Sequence, residues 1–237
     1  EPFEPGWTPN TTDRFTKRYQ YGNQTRVGQW NLSRLGGAFH VLVGDTTMLE
    51  ASLGEYAATT ERLWWRTWLA KCGIDVGDGE ARHVDRALIE DLHAVLQLTE
   101  LDLTIFFRSL PDVAALDDSA TDRSLVEPLV GAAYRPDELT GDVLASLAGW
   151  LRRWRARLDV DDPRPAMDAV NPRFVLRNYL AQLAIDAAET GDDSTIHELH
   201  DTLRRPYDDQ PGRERFAEKR PEWARERAGC SMLSCSS

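Results

Sequence analysis

Apolar positions recur along this chain at spacings of three and four residues, and almost nowhere at a spacing of two. Leu35, Ala38, Phe39 and Leu42 fall at i, i+3, i+4 and i+7, one stripe of a helix expected from about Val27. Trp64, Trp68 and Cys72 mark a second helix over about 55–72, with Gly73 as its stop. A long helical stretch follows over about 83–109, carrying Val84, Leu88, Leu92, Val95 and Leu96, then Leu103, Phe106 and Phe107. Its second half, LDLTIFF, is apolar on several sides and reads as central. Leu144, Leu147, Leu151, Trp154 and Leu158 form the cleanest amphipathic stripe in the chain.

In NPRFVLRNYLAQLAIDAAETG, Pro172 sits near the expected helix start, where its missing N–H costs nothing. Leu176, Leu180, Leu183, Ala184 and Ala187 make the predicted buried stripe, and Gly191 the stop. Thr195 and Glu198 match a capping box ahead of Ile196, Leu199 and Leu203, and Pro206 ends that helix. Between these segments, 1–24 reads as an irregular opening, 73–80 and 159–170 as loops, and 111–123 as an acidic surface connection. Beyond 206 the chain is polar and irregular. With no repeat and almost no alternation, the fold class is mainly α.

Composition narrows the function classes. A chain of 237 residues with 41% hydrophobic content and eight tryptophans can bury a core without disulfide staples. Asp and Glu number 39 against 28 Lys and Arg, a net charge of −11. Such a surface repels phosphate backbones and anionic lipid, so no nucleic-acid or membrane partner is expected. Only Lys17, Lys71 and Lys219 are lysines, and an acidic, lysine-poor surface suits a salty cytosol, the habit of a halophile. No apolar run reaches the roughly 20 residues of a membrane helix, and no basic-then-apolar leader opens the sequence. The triplets at Asn10, Asn23 and Asn31 read as chance glycosylation patterns. Three cysteines, an odd number, fit a reducing compartment, so a cytoplasmic location is expected.

Candidate chemistry is sparse. The chain has no phosphate-cradling glycine loop, no C-x-x-C pair and no H-E-x-x-H. His197 and His200 could share a helix face near Asp201, but a metal needs further ligands and no second cluster offers them. The four arginines of LRRWRARL could grip a phosphate or carboxylate; a solvated face is the default. The Trp64, Trp65 and Trp68 group reads as core, and Cys72 as filler of a helix face. Read alone, the residues assemble no catalytic constellation.

Four stretches in order carry a resemblance: EPGWTPNTTD (4–13), YQYGNQTRVGQWNLSRL (19–35), LDLTIFFRSL (101–110) and NPRFVLRNYLAQLAIDAAETGD (171–192). LRRPYDDQP (203–211), Pro-Glu-Trp (221–223) and a final Cys-Ser-Ser (235–237) follow them. Together they resemble the carboxyl-terminal part of selenoprotein O-like proteins, protein adenylyltransferases with a protein-kinase-like fold. The resemblance is weakest over about 44–95.

It implies ATP and Mg²⁺ as cofactors and transfer of AMP to Ser, Thr or Tyr hydroxyls of protein substrates. It also implies that the family's nucleotide-gripping Lys–Glu pair, phosphate-contacting arginines and metal-holding Asn and Asp lie upstream of the stretch at 4–13. On this reading the chain is a fragment: no catalytic, cofactor-binding or metal-binding residue falls within it. It is then inactive alone and partnered by a missing N-terminal nucleotide-binding half. The expected divisions are a lower part of the kinase-like C-lobe (1–110), a helical C-terminal extension (111–205) and an irregular tail (206–237).

The tail of animal relatives ends Cys-x-x-selenocysteine-Ser-Ser, which makes Cys235 the sulfur counterpart of the selenium position. Met232 stands where the partner thiol would be, and Cys230 is the nearest cysteine. Cys235 and Cys230 are therefore the candidate redox residues, expected to be exposed in a mobile tail and able to close on one another. The alternative to the adenylyltransferase reading is a non-catalytic helical interaction or thiol-redox module.

Overall fold

The computed structural model of the protein describes residues 1–8, 13, 15–77, 79–227 and 229–230. Among them the regular structure is helical, and the only strand-like pairing is one isolated bridge between Leu101 and Ala133. Helix α1 spans Gln24–Val43 and α2 spans Thr47–Lys71, and the two form a hairpin. Gly44, at φ 71°, ends α1 with its N–H on the His40 carbonyl. Gly73, at φ 72°, follows α2, and a Cβ there would lie 3.0 Å from Met167 Cγ, so two constraints call for glycine.

The stretch expected as one helix over 83–109 is two: α3 (His83–Val95) and α4 (Leu103–Ala114). Asp102 makes the break. Its carboxylate accepts from Ile105 N–H at 3.2 Å, and its own N–H donates to the Ala132 carbonyl at 2.8 Å. Helix α4 continues to Ala114, so the connection expected from 111 starts later and is shorter, because α5 (Asp122–Val126) opens on Thr121. Helix α6 (Gly141–Arg157) follows the predicted stripe, with Leu147, Leu151 and Trp154 buried. The loop expected over 159–170 contains α7 (Arg164–Val170), whose Met167 is buried.

Two further expectations are corrected. Pro172 does not open a helix, because α8 begins at Asn178 (Asn178–Glu189). The N–H groups of Arg173 and Phe174 both donate to the Pro206 carbonyl, which keeps this segment out of helix, and Leu176 is exposed. Helix α9 (Ser194–Leu203) starts ahead of Thr195, with Asp193 at its N-cap and no side-chain cap. Glu198, expected to fold back as a capping partner, instead pairs with Arg213 and Arg215.

Apolar side chains gather in two clusters. The larger takes residues from Phe3 to Met167, the smaller from Phe174 to Cys230. In the larger, Trp150 and Trp154 stack with centroids 6.0 Å apart and planes 5° apart. Their indole N–H groups reach the carbonyls of Leu88 (2.9 Å) and Cys72 (2.8 Å), so both rings are buried with their donors satisfied. Among Trp64, Trp65 and Trp68, Trp68 is core, Trp65 is half-buried and Trp64 lies at the exposed edge. The tail beyond 206 contributes Phe216, Ala224 and Cys230 to the smaller cluster, so it is packed where the sequence reads as polar and irregular. No described helix is long and apolar enough to cross a membrane.

Candidate functional site

The point of densest polar contact is Asp102, at the start of α4. Asp102 is fully buried and Arg177, just before α8, almost so. The guanidinium donates through both terminal nitrogens, Nη1 to Oδ2 at 2.5 Å and Nη2 to Oδ1 at 2.9 Å. Tyr134 donates its hydroxyl to the same carboxylate at 3.0 Å, and the backbone nitrogen of Glu1 reaches Oδ2 at 2.6 Å. Burial alone would push this carboxyl up. The paired Arg177 and the Glu1 nitrogen outweigh it and hold the carboxyl well below the usual carboxylate range. Burial and the adjoining carboxylate push the Tyr134 hydroxyl far above its ordinary value, so it stays a donor.

Around this pair polar residues act as ties, some of them from the singled-out stretches. Arg220 Nη1 donates to the Glu1 carboxylate at 3.1 Å, and Lys219 donates to the Ala133 carbonyl. Gly22 and Tyr21 donate backbone N–H groups to the carbonyls of Pro5 and Trp7, both at 2.8 Å, joining the first stretch to the second. Asn171 is buried; it accepts from Lys71 Nζ at 3.1 Å and donates to the Lys71 carbonyl at 2.9 Å, which closes the C-terminus of α2. Arg173 reaches Asp209 at 2.5 Å, and Asn178 reaches the Cys230 carbonyl at 3.3 Å. Sequence spacing does not reveal the Asp102–Arg177 pair. The one legible signal is an Asp placed directly ahead of an apolar run, the mark of a helix N-cap.

Two cavities flank the knot. One of about 280 Å³ is lined by Phe3, Trp7, Tyr21, Leu103, Arg220 and Cys230. The other, of about 570 Å³, is lined by Trp64, Trp68, Lys71, Phe107 and Asn171 among others. Both walls are mainly aromatic and aliphatic. Lys71 stands over the Phe107 ring at 5.0 Å, and burial lowers its pKa. Between α2 and α3, His93 sits among Phe3, Trp64 and Trp68, with centroids 4.8, 5.2 and 4.3 Å away, and burial takes it down to about 4.

The remaining candidates fall as follows. Arg152, Arg153, Arg155 and Arg157 pair with Asp122, Asp91, Asp118 and Asp85 at 2.6, 2.9, 3.2 and 2.6 Å, so this face is laced internally. His197 and His200 are exposed on α9, beside Asp193 (3.4 Å) and Asp201 (3.7 Å). Among the described residues no group of three or more His, Cys, Asp and Glu side chains could hold a metal ion.

The thiols divide. Cys230 is not the exposed tail residue expected: it is 2% exposed, packed in the smaller cluster, and burial raises its pKa. Cys72 is fully buried, and burial pushes its thiol up to about 12. Cys235 and Met232 lie outside the described residues.

Comparison with known proteins adds the lineage. The sequence profile of the family described as "Protein adenylyltransferase SelO" matches residues 1–204. Curated relatives named "Protein nucleotidyltransferase YdiU" align with nearly the whole chain. The one from Rhodopirellula baltica is 46% identical over 253 residues, covering 100% of this chain and 46% of the relative. That from Aromatoleum aromaticum is 47% identical over 239 residues, covering 99% of this chain and 44% of the relative. That from Flavobacterium johnsoniae is 41% identical, covering 100% and 45%. The chain thus spans less than half the length of the curated relatives it matches.

Proposed function

The chain belongs to the protein adenylyltransferase SelO family, and from that premise we propose that it serves as the carboxyl-terminal half of an enzyme that moves AMP from ATP onto Ser, Thr or Tyr hydroxyls of proteins. The lineage implies Mg²⁺ as the co-reactant ion. On this reading the nucleotide and metal ligands come from polypeptide outside these residues, and the chain alone is inactive. The observation that carries the proposal is alignment of 99–100% of the chain with relatives named protein nucleotidyltransferases. The mainly α architecture agrees with the helical part of a kinase-like lobe.

The role of this chain's own residues is positional. Transfer of a phosphorus-centred group depends mostly on alignment and on charge placed in advance, with little covalent work for the protein. The Asp102–Arg177 pair, with Tyr134 and Arg220, holds the first residues of the chain against α4. It acts as a rigid seat for whatever the longer relatives carry before this stretch. Arg177 is a positioning residue in this scheme and touches no reacting atom. We place the protein in the cytoplasm and take its targets to be proteins.

The test uses labelled ATP, Mg²⁺ and candidate protein substrates. The Rhodopirellula baltica relative, at its full length, is expected to label them, and this chain alone is expected to leave them unlabelled. Robust AMP transfer by these 237 residues would sink the division of labour. The thiol-redox alternative draws little support from Cys72 and Cys230, both buried with raised pKa values.

A further inference from the structure

Helix α1 is built unlike the rest of this acidic chain. Its 20 residues contain no Asp or Glu, while the whole chain holds 39. Its only Lys or Arg residues are Arg26 and Arg34. Yet α1 is almost wholly exposed, with Val27 its one buried residue. Phe39 is 46% exposed, Leu35 51% and Leu42 81%, so the predicted stripe forms but nothing described covers it. Met48 and Leu63 of α2 are also exposed. A helix that faces water on one side carries polar and charged residues there. A contiguous apolar face of this kind marks an interaction surface.

The glycines agree. Gly36 and Gly37 are adjacent in the middle of α1, where glycine is poorly suited to a helix. A Cβ at either would meet nothing within 4 Å. Gly28, by contrast, faces α2, where a Cβ would lie 2.6 Å from the Tyr56 hydroxyl. The hairpin contact therefore accounts for Gly28 and leaves the pair at 36–37 as open room for the close approach of another backbone.

We propose that the α1–α2 hairpin is the docking surface for the part of the family polypeptide that this chain does not match, and that the occupant is apolar with carboxylates opposite Arg26 and Arg34. Two observations select that occupant. The relatives are more than twice as long as the stretch they share with this chain, so most of their length is available to cover the face. A second copy seated α1 against α1 is disfavoured by charge, since it would bring together two acid-free helices that each carry Arg26 and Arg34. The inference rests on the two-half reading above and adds to it the surface where the halves meet.

The experiment compares thermal unfolding of this chain with that of the full-length Rhodopirellula baltica relative. Each carries aspartates at Leu35 and Phe39, or at the matched positions. In this chain, where both residues face water, Leu35→Asp with Phe39→Asp is expected to move Tm by less than about 2 °C. In the full-length relative the same change is expected to lower Tm by at least about 5 °C. If that variant does not fold at all, Phe39→Ala at the matched position supplies a smaller drop in the same direction. Equal, small shifts in both proteins would overturn the proposal. So would sedimentation of this chain as a dimer that the aspartates dissociate, which would assign the face to a second copy. AMP transfer by the unmodified relative is measured alongside. An inactive relative that still shows the Tm difference fails the functional reading and leaves the docking surface standing.

Discussion

Arg177 grips Asp102 with two parallel hydrogen bonds, at 2.5 and 2.9 Å, across a gap of 75 residues in the sequence. Both side chains are sealed from water, so each depends on the other for its charge to be tolerated. The carboxylate also caps α4, which ties that helix to the segment ahead of α8. Arg177→Met removes the bidentate counter-charge of this buried carboxylate and is expected to cost about 3–5 kcal/mol in urea unfolding. Arg177→Lys retains the charge but not the fork and is expected to lose part of that. Tyr134→Phe removes one bond to a charged group, for about 1.5–3 kcal/mol. A loss below about 1 kcal/mol for Arg177→Met would mean that the pair is not the mechanical centre described here.

Acid stability follows from two groups acting in separate windows. His93 is held by burial at about 4 against an ordinary 6.5. Between those values the unfolded chain binds a proton that the folded chain refuses, so stability falls as pH drops from 6.5 to 4. Asp102, held below its ordinary value, contributes stability that is complete above about pH 4 and fades at lower pH. The urea midpoint is therefore expected to decline in two stages. His93→Phe, which keeps an aromatic ring among Phe3, Trp64 and Trp68, should remove the upper stage alone. A wild-type midpoint that is flat from pH 7 to 4.5 would contradict the placement of His93.

Trp154 ties α6 to the end of α2 through its N–H on the Cys72 carbonyl, 2.8 Å away. Trp154→Phe keeps most of the apolar contact and strands that carbonyl beside the ring. The expected cost is about 1–3 kcal/mol from the unmet acceptor, plus a contribution from the smaller ring. Loss of the Cys72 amide from the slow-exchanging set would not follow from this, since its N–H donates elsewhere, to Leu69. Urea unfolding of Trp154→Phe beside Trp150→Phe, which removes the indole bond to the Leu88 carbonyl, reads the two indole contacts separately.

The period-3.6 pattern locates α1, α6, α2 without its first two turns (it starts at Thr47, not about 55), and the later part of α8, where Leu183 of the predicted buried stripe is exposed. It failed where a polar side chain overrides the stripe. Asp102 splits the predicted 83–109 helix by capping a new one, and Pro206 draws the N–H groups of Arg173 and Phe174 out of helical register. The Pro206 carbonyl lies about thirty residues away, so local spacing carries no trace of it, and the cap shows in the sequence only as an Asp directly ahead of an apolar run. The α1 stripe shows the opposite failure: periodicity reports that a face is apolar and says nothing of what covers it. Of the site, the stretches were legible as blocks. Their meeting at one buried ion pair was not, and the burial of Cys230 reversed the exposed-tail expectation because Phe174, Phe216 and Ala224 close over it.

The net charge of −11 predicts a salt response of definite sign. Added salt screens both the surface ion pairs, which weakens the fold, and the excess of like charge, which strengthens it. Exposed pairs such as Arg153–Asp91 are each worth little. Self-repulsion is therefore expected to dominate, and Tm should rise between low and high salt. A chain equally stable at both would remove the basis for a halophilic surface.

Thiol reactivity tests whether the smaller cluster is as closed as its geometry indicates. Cys72 is fully buried with its pKa raised to about 12, and Cys230 is buried with its pKa raised as well. Alkylation requires both the thiolate and access. At pH 8 both residues should react with iodoacetamide far more slowly in the folded chain than in urea, with Cys72 the slower of the two. Asn178 holds the Cys230 carbonyl at 3.3 Å, so Asn178→Ala is expected to speed Cys230 while leaving Cys72 unchanged. Peptide mapping by mass reads all three cysteines in one experiment. Cys230 reacting in the folded chain at the rate of free cysteine would show that this segment opens from the cluster, and would restore it as a candidate partner for Cys235.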